Sequence, residues 1–255
     1  MNNAMDYPFL IFVFSFFVLW LSARIGASFL GRQRKLEEDV RVDFGVILAA
    51  TLTLLGLIIG FSFSMAVSRY DLRKNYEEAE ANAIGTEYVR ADLLPAKDAA
   101  KVRALLTNYL DQRISFYKTR DEQKIRQINA HTAQLQTELW SAVQGPAAAQ
   151  PTPMVALAVS GMNDVLNSQG YTQSAWWNRI PIAAWGLMAA IAICSNMLVG
   201  YGTRNVKAEG TLLLVLPLLV SIAFFLIADI DSPRGGVIRV HPQNMESLVE
   251  SLHVH

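Results

Sequence analysis

Apolar residues gather into four long blocks along the chain, and the sequence between them has ordinary polarity. The first block runs from Phe9 to Ala23 and continues past Arg24 toward Leu30. A long Arg side chain can carry its charge out to an interface, so Arg24 does not end the span. The second block is Phe44–Val67, the third Ile180–Val199 and the fourth Thr211–Ala228. A helix needs about 20 residues to cross about 30 Å of hydrocarbon. Lipid also forces a single segment to satisfy its own backbone, which a helix does. The pattern therefore predicts an all-α membrane protein: four transmembrane helices in two pairs, with a helical extramembrane domain between spans two and three. The expected boundaries are 1–67 for spans one and two, 68–179 for the helical domain, 180–229 for spans three and four, and 230–255 for a C-terminal tail.

Residues 1–8 contain no Lys or Arg, and the basic cluster Arg32, Arg34, Lys35 follows the first block instead. The first block thus reads as a retained anchor rather than a cleaved signal peptide. Tyr7, Trp20, Trp176, Trp177 and Tyr201 flank the spans as an interfacial aromatic belt would. Basic residues near the spans are nearly balanced between the two sides. Their margin is a single charge, contributed on the side of Arg41, Arg204 and Lys207, and it favours an N-terminus outside.

The middle section reads as helical throughout. No Pro interrupts Phe44–Leu94 and no Gly occurs between Phe61 and Ile84, so span two is expected to continue as one helix of roughly 75 Å until Pro95. A second helix is expected over Asp98–Lys118, with Val102, Leu105, Leu106, Tyr109, Ile114 and Phe116 as its apolar stripe. Thr119 with Glu122 spells a capping box for a third, striped by Ile125, Ile128, Leu135 and Leu139. Residues 145–153 read as a loop. Thr152 and Pro153 start a fourth helix, lined by Val155, Val159, Met162 and Leu166, which Gly170 is expected to stop.

Composition agrees with this layout: 52% of the 255 residues are hydrophobic and 17% charged, against about 25% charged in soluble domains. Formal net charge is zero, so nothing global points to a nucleic-acid partner. The single cysteine, Cys194, reads as a small buried packing residue and supplies neither a disulfide nor a metal site. Gly-x-x-x-x-Gly-Lys, Gly-x-Ser-x-Gly and His-Glu-x-x-His are all missing. No catalytic constellation, cofactor or metal is expected. Of the histidines, His253 and His255 fall in a tail expected to fray.

Span two carries the most suggestive pattern. Small residues recur at Gly56, Gly60, Ser64 and Ser68, a spacing that lets helix backbones approach closely. Packing within the chain and packing between copies both fit. On the neighbouring stripe lie Leu57, Phe61 and Met65. They face lipid or another helix, or they form an apolar ring that gates a pore by dewetting. Arg69 marks the end of the span or draws anions to a pore mouth. Asn196 in span three suits an interhelical hydrogen bond. Asp229 and Asp231 precede Pro233; they form a solvated boundary or a cation contact. Val199-Gly200-Tyr201-Gly202 spells part of a potassium filter, but it ends a full span and follows Leu198, so it reads as coincidence.

Three stretches, GFSFSMAVSRYD (60–71), EEAEANAIGTEYVRADLLP (77–95) and IADIDSPRGGVIRVHPQN (227–244), resemble the bacterial bestrophin-like membrane proteins. The resemblance covers nearly the whole chain. It implies a homo-oligomeric ion channel, pentameric and anion-conducting as bestrophins are, in the bacterial inner membrane. Its partners would be membrane lipid and inorganic ions. It maps the family's apolar neck onto Leu57, Phe61 and Met65, with Ser64 beside them lining the pore. It places the helical domain and both termini in the cytoplasm, against the one-charge margin, and a near tie in charge yields to it. The acidic calcium clasp of animal bestrophins has no counterpart beyond Asp229 and Asp231. The rival reading is a non-conducting scaffold or sensor whose helical domain binds a partner. Four spans of this kind require detergent for extraction; polypeptide that stays folded and dispersed in plain buffer would contradict them.

Overall fold

The computed structural model describes residues 6–30, 38–203 and 211–253, and all regular structure among them is helical. Arg32, Arg34, Lys35, Arg204, Lys207 and His255 lie outside the described residues. Helix α1 spans Pro8–Ile25 and runs into a π-helical turn, Gly26–Leu30. Helix α2 is Glu38–Arg90, closed by a 3-10 turn over Ala91–Leu93. There follow α3 (Ala96–Lys118), α4 (Glu122–Ala149), α5 (Pro153–Trp177), α6 (Ile182–Gly202), α7 (Leu212–Asp231) and α8 (Gln243–His253). The chain divides into two compact units, Met1–Tyr70 with Arg179–Arg239, and Asp71–Asn178 with Val240–His255. Residues 240–253, expected in the tail, thus belong with the second unit, and His253 closes α8 rather than fraying.

The first unit holds the membrane helices. Four segments are long and apolar enough to cross a bilayer, within Pro8–Ser28, Arg41–Leu93, Pro153–Gly202 and Leu213–Asp231. In the third, the apolar stretch is α6 rather than the more polar α5. Their shared core joins Leu19 of α1, Leu55 and Ala66 of α2, Trp185, Met188 and Ala192 of α6, and Val220, Phe224 and Ile227 of α7. Glycine sets how closely α1 and α6 approach. A Cβ on Gly200 would collide with the Ala23 carbonyl oxygen, and one on Gly26 with that of Met197. The backbones touch there, which only a residue without a side chain permits. Several polar side chains in these helices bond to carbonyls of their own helix. Ser22 Oγ donates to the Val18 carbonyl at 2.8 Å and Ser195 Oγ to that of Ile191 at 2.8 Å. Asn196 does the same: Nδ2 donates to the Ala192 carbonyl in its own helix at 2.8 Å, not across to a neighbour as expected. Cys194 is exposed on α6 rather than packed inside.

The second unit is built from the C-terminal part of α2 together with α3, α4, α5 and α8. The expected stripes supply much of its core: Val102, Leu106 and Tyr109 from α3, Leu135 and Leu139 from α4, and Val155 and Met162 from α5 are all buried. Several boundaries differ from expectation. Asp121, not Thr119, caps α4, because its carboxylate accepts the N–H groups of Gln123 and Lys124. Residues 145–149 continue α4 with Pro146 inside it, so the loop is shorter than the Gly and Pro content suggests. Thr152 caps α5 through its hydroxyl, which accepts the Val155 N–H at 3.2 Å. Gly170 does not stop α5, which runs on to Trp177. Trp176 is a core residue, stacked among Phe116 and Tyr117, and not part of an interfacial belt.

At the centre of this unit sits a fully buried ion pair between Glu80 and Arg113. Thr172 Oγ1 donates to Glu80 Oε2 at 2.9 Å, and the Arg113 guanidinium lies 4.5 Å over the Phe116 ring. Burial and the Glu80 charge push the Tyr109 and Tyr117 phenols well above their ordinary value, so both stay neutral. Removing one partner of a buried pair leaves an uncompensated charge. Arg113→Ala is expected to cost about 3–5 kcal/mol. The paired replacement Glu80→Gln with Arg113→Met should cost much less, as read from melting of the detergent-solubilised protein.

Candidate functional site

Two sides of α2 within the first unit have opposite surroundings. Leu55, Ser62 and Ala66 are buried in the unit's core. Leu57, Phe61 and Met65, each one turn further on, are 52%, 60% and 40% exposed. Ser64 and Ser68 are exposed as well. A Cβ added to Gly56 or Gly60 would meet nothing within 4 Å. Among the described residues, then, nothing in the chain packs on the small-residue stripe, which removes the reading of these glycines as contacts within one chain. The small stripe and the apolar stripe lie side by side on one outward face. Arg69 caps this face by curling back, its Nη1 3.5 Å from the Met65 carbonyl oxygen.

The acidic residues after span four do something other than expected. Asp229 and Asp231 are buried, not solvated. Asp229 Oδ1 and Oδ2 accept the backbone N–H groups of Val237 and Ile238, each at 2.8 Å. Asp231 accepts the Ile180 N–H at 3.1 Å and the Arg179 Nε at 3.5 Å. Arg179 also pairs with Asp6, whose carboxylate accepts the Ser232 hydroxyl at 3.3 Å. The chain returning from α7 is pressed against this network: a Cβ on Gly235 would strike the Asp6 carbonyl, and one on Gly236 the Asp229 carbonyl. The conspicuous Asp-Ile-Asp-Ser-Pro-Arg-Gly-Gly sequence is thus a clamp that joins the start of α1, the start of α6 and the end of α7. The carboxylate oxygens face N–H donors, the environment of an anion already satisfied. Among the described residues no three His, Cys, Asp or Glu side chains converge as a metal site would need.

Within the second unit, α2 presents a face that hydropathy alone disguises. Arg73, Glu77, Glu80, Ile84, Glu87 and Ala91 follow one another at three- and four-residue steps, and all are buried. Glu77 caps α8. Its Oε1 accepts the Asn244 and Met245 N–H groups at 3.0 and 3.1 Å, and its Oε2 the Asn244 side-chain amide at 2.6 Å. Burial holds the Glu77 carboxyl above its ordinary value despite these bonds. A stripe drawn from apolar residues alone passes over these charged positions. The signal that finds them is the step of three and four continuing the apolar positions Ile84 and Ala91.

A family model, the bestrophin-like domain, matches residues 9–245. Among curated proteins none matches the chain. Its fold is similar to crystal structures of mutants of a bacterial bestrophin homologue from Klebsiella pneumoniae. One gives a TM-score of 0.65 at 13% identity, covering 96% of this chain and 97% of that one. A second gives 0.64 at 12%, covering 100% and 97%. A third gives 0.62 at 12%, covering 93% and 98%.

Asp229→Ala strips the acceptors from two backbone N–H groups, at about 1–3 kcal/mol for each donor left buried and unpaired. Lowered melting temperature together with faster proteolysis of residues 232–242 is the expected result. Unchanged melting would remove the clamp from the account.

Proposed function

The chain belongs to the bestrophin-like family, and on that premise we propose that it is one subunit of an oligomeric ion channel whose pore is lined by α2. The observation that carries this reading is the outward face of the second span: apolar, regular, and without a partner among the described residues of its own chain. Around an axis, Leu57, Phe61 and Met65 of each copy form stacked apolar rings, and Ser64 adds a hydroxyl beside them. Rings of this kind stop ions when narrow enough to dewet and pass them when slightly wider. Gly56, Gly60 and Ser68 let neighbouring α2 helices approach closely at the flank of the pore.

The resemblance supplies the finer terms of the proposal: five copies, anions as the conducted species, a bacterial inner membrane, and the helical unit with both termini in the cytoplasm. The Asp231–Arg179–Asp6 clamp holds α1, α6 and α7 together as the frame against which α2 leans. Asp229 and Asp231 remain candidates for a cation contact only if their backbone donors are displaced.

Purified protein in planar bilayers tests this. Conductance is expected, blocked by a water-soluble thiol reagent in Leu57→Cys, Phe61→Cys or Met65→Cys on a Cys194→Ser background and unaffected in Leu55→Cys. A ring-shaped oligomer that never conducts, under any ion gradient or pH, would overturn the channel and favour the scaffold.

A further inference from the structure

The second unit contains one acid that its other buried acids do not resemble. Glu80 is paired with Arg113, and Glu77 is bonded to the start of α8. Glu87 is as deeply buried as either, yet neither of its carboxyl oxygens has a hydrogen-bond partner. It sits under α5 at Gly161, where an added Cβ would strike Glu87 Oε2 and crowd Nη1 of Arg90. The missing side chain at Gly161 is what makes room for the carboxyl. Leaving a carboxylate dry and unpaired costs far more than leaving the neutral acid so.

We propose that Glu87 is a proton-binding site in the contact between α2 and α5, and that losing its proton swings the carboxylate toward Arg90 and loosens that contact at Gly161. Two charged groups face the site. Arg90 stands one turn along α2 and is half-buried, so it can reach in; Asp164 comes from α5. From α3, Arg103 is already engaged, paired with Asp92 and donating to the Tyr88 carbonyl at 3.3 Å. A groove of about 420 Å³ lined by Asn82, Thr86, Arg90, Gly161 and Asp164 runs over the contact and gives water a route to it.

Burial raises the Glu87 carboxyl to about 8; Arg90 pulls against the rise and Asp164 adds to it. The folded protein therefore holds this proton more tightly than the unfolded chain does. The stability it contributes is complete below the ordinary carboxyl value of 4.5 and is lost as pH climbs through about 8. The titration falls where modest alkalinisation of the surrounding water is felt, and it acts on the helix that also forms the second span. The inference stands whether or not the protein conducts ions.

The test uses the full chain in detergent. Wild type should lose melting temperature between about pH 6 and pH 9, while Glu87→Gln, a permanent mimic of the protonated acid, should be flat over that interval. A protonated-carboxyl band should disappear from the wild-type infrared difference spectrum over the same range and be absent in Glu87→Gln. Hydrogen exchange across Pro153–Trp177, corrected for the intrinsic pH dependence, should quicken in wild type alone. Asp164→Asn should move the midpoint down and Arg90→Gln should move it up. These opposite shifts decide the matter even if Glu87→Gln folds poorly. Identical pH profiles in wild type and Glu87→Gln, or a midpoint indifferent to both neighbours, would overturn the proposal.

Discussion

Hydrocarbon offers a peptide group no hydrogen bond, and each unpaired N–H or C=O within it costs several kcal/mol. That constraint makes every span here a helix and makes Ser22, Ser195 and the Asn196 amide N–H bond to carbonyls of their own helices. It also explains why irregular backbone is guarded. The segment leaving α7 turns sharply after Asp231, and its N–H groups at Val237 and Ile238 are met by the Asp229 carboxylate rather than left open. The same requirement puts the Ile180 N–H, ahead of α6, on Asp231. Two acids thus do for the ends of the spans what intrahelical bonds do for their middles.

Helix α2 reconciles two solvents within a single 53-residue rod. Its part in the first unit buries an edge, Leu55, Ser62 and Ala66, and leaves Leu57, Phe61 and Met65 exposed. Its part in the second unit buries charge instead. Glu77 and Glu80 are each given partners that justify their burial: a helix N-terminus for one, an arginine for the other. Glu87 is given room by the missing side chain at Gly161. No regular break between these regimes exists in the backbone.

Close approach, not bulk hydrophobicity, organises the remaining spans. Lipid is as apolar as leucine, so membrane helices gain by contact and fit. Gly26 and Gly200 let α1 and α6 touch backbone to backbone. Gly56 and Gly60 have the more regular spacing, yet among the described residues nothing lies within 4 Å of a Cβ added to either. Gly200, inside the filter-like tetrapeptide, is a packing glycine.

The sequence by itself determined the fold class, the four spans, the uninterrupted second helix and the regular spacing of the stripes at Gly56–Ser68 and Leu57–Met65, though not which way those stripes face. These depend on periodicity and on the absence of Pro, which are local properties of the chain. Only the tertiary structure decided what Asp229, Asp231, Glu77, Glu80 and Glu87 do. A carboxylate's role depends on which donors converge on it, and those donors come from residues far along the chain: Thr172 for Glu80, Asn244 for Glu77, Ile180 for Asp231. Helix ends at Asp121 and Trp177, the burial of Trp176 and the exposure of Cys194 likewise escaped the sequence. Propensity at a turn or a ring is a small energy, and packing against a neighbouring helix outweighs it.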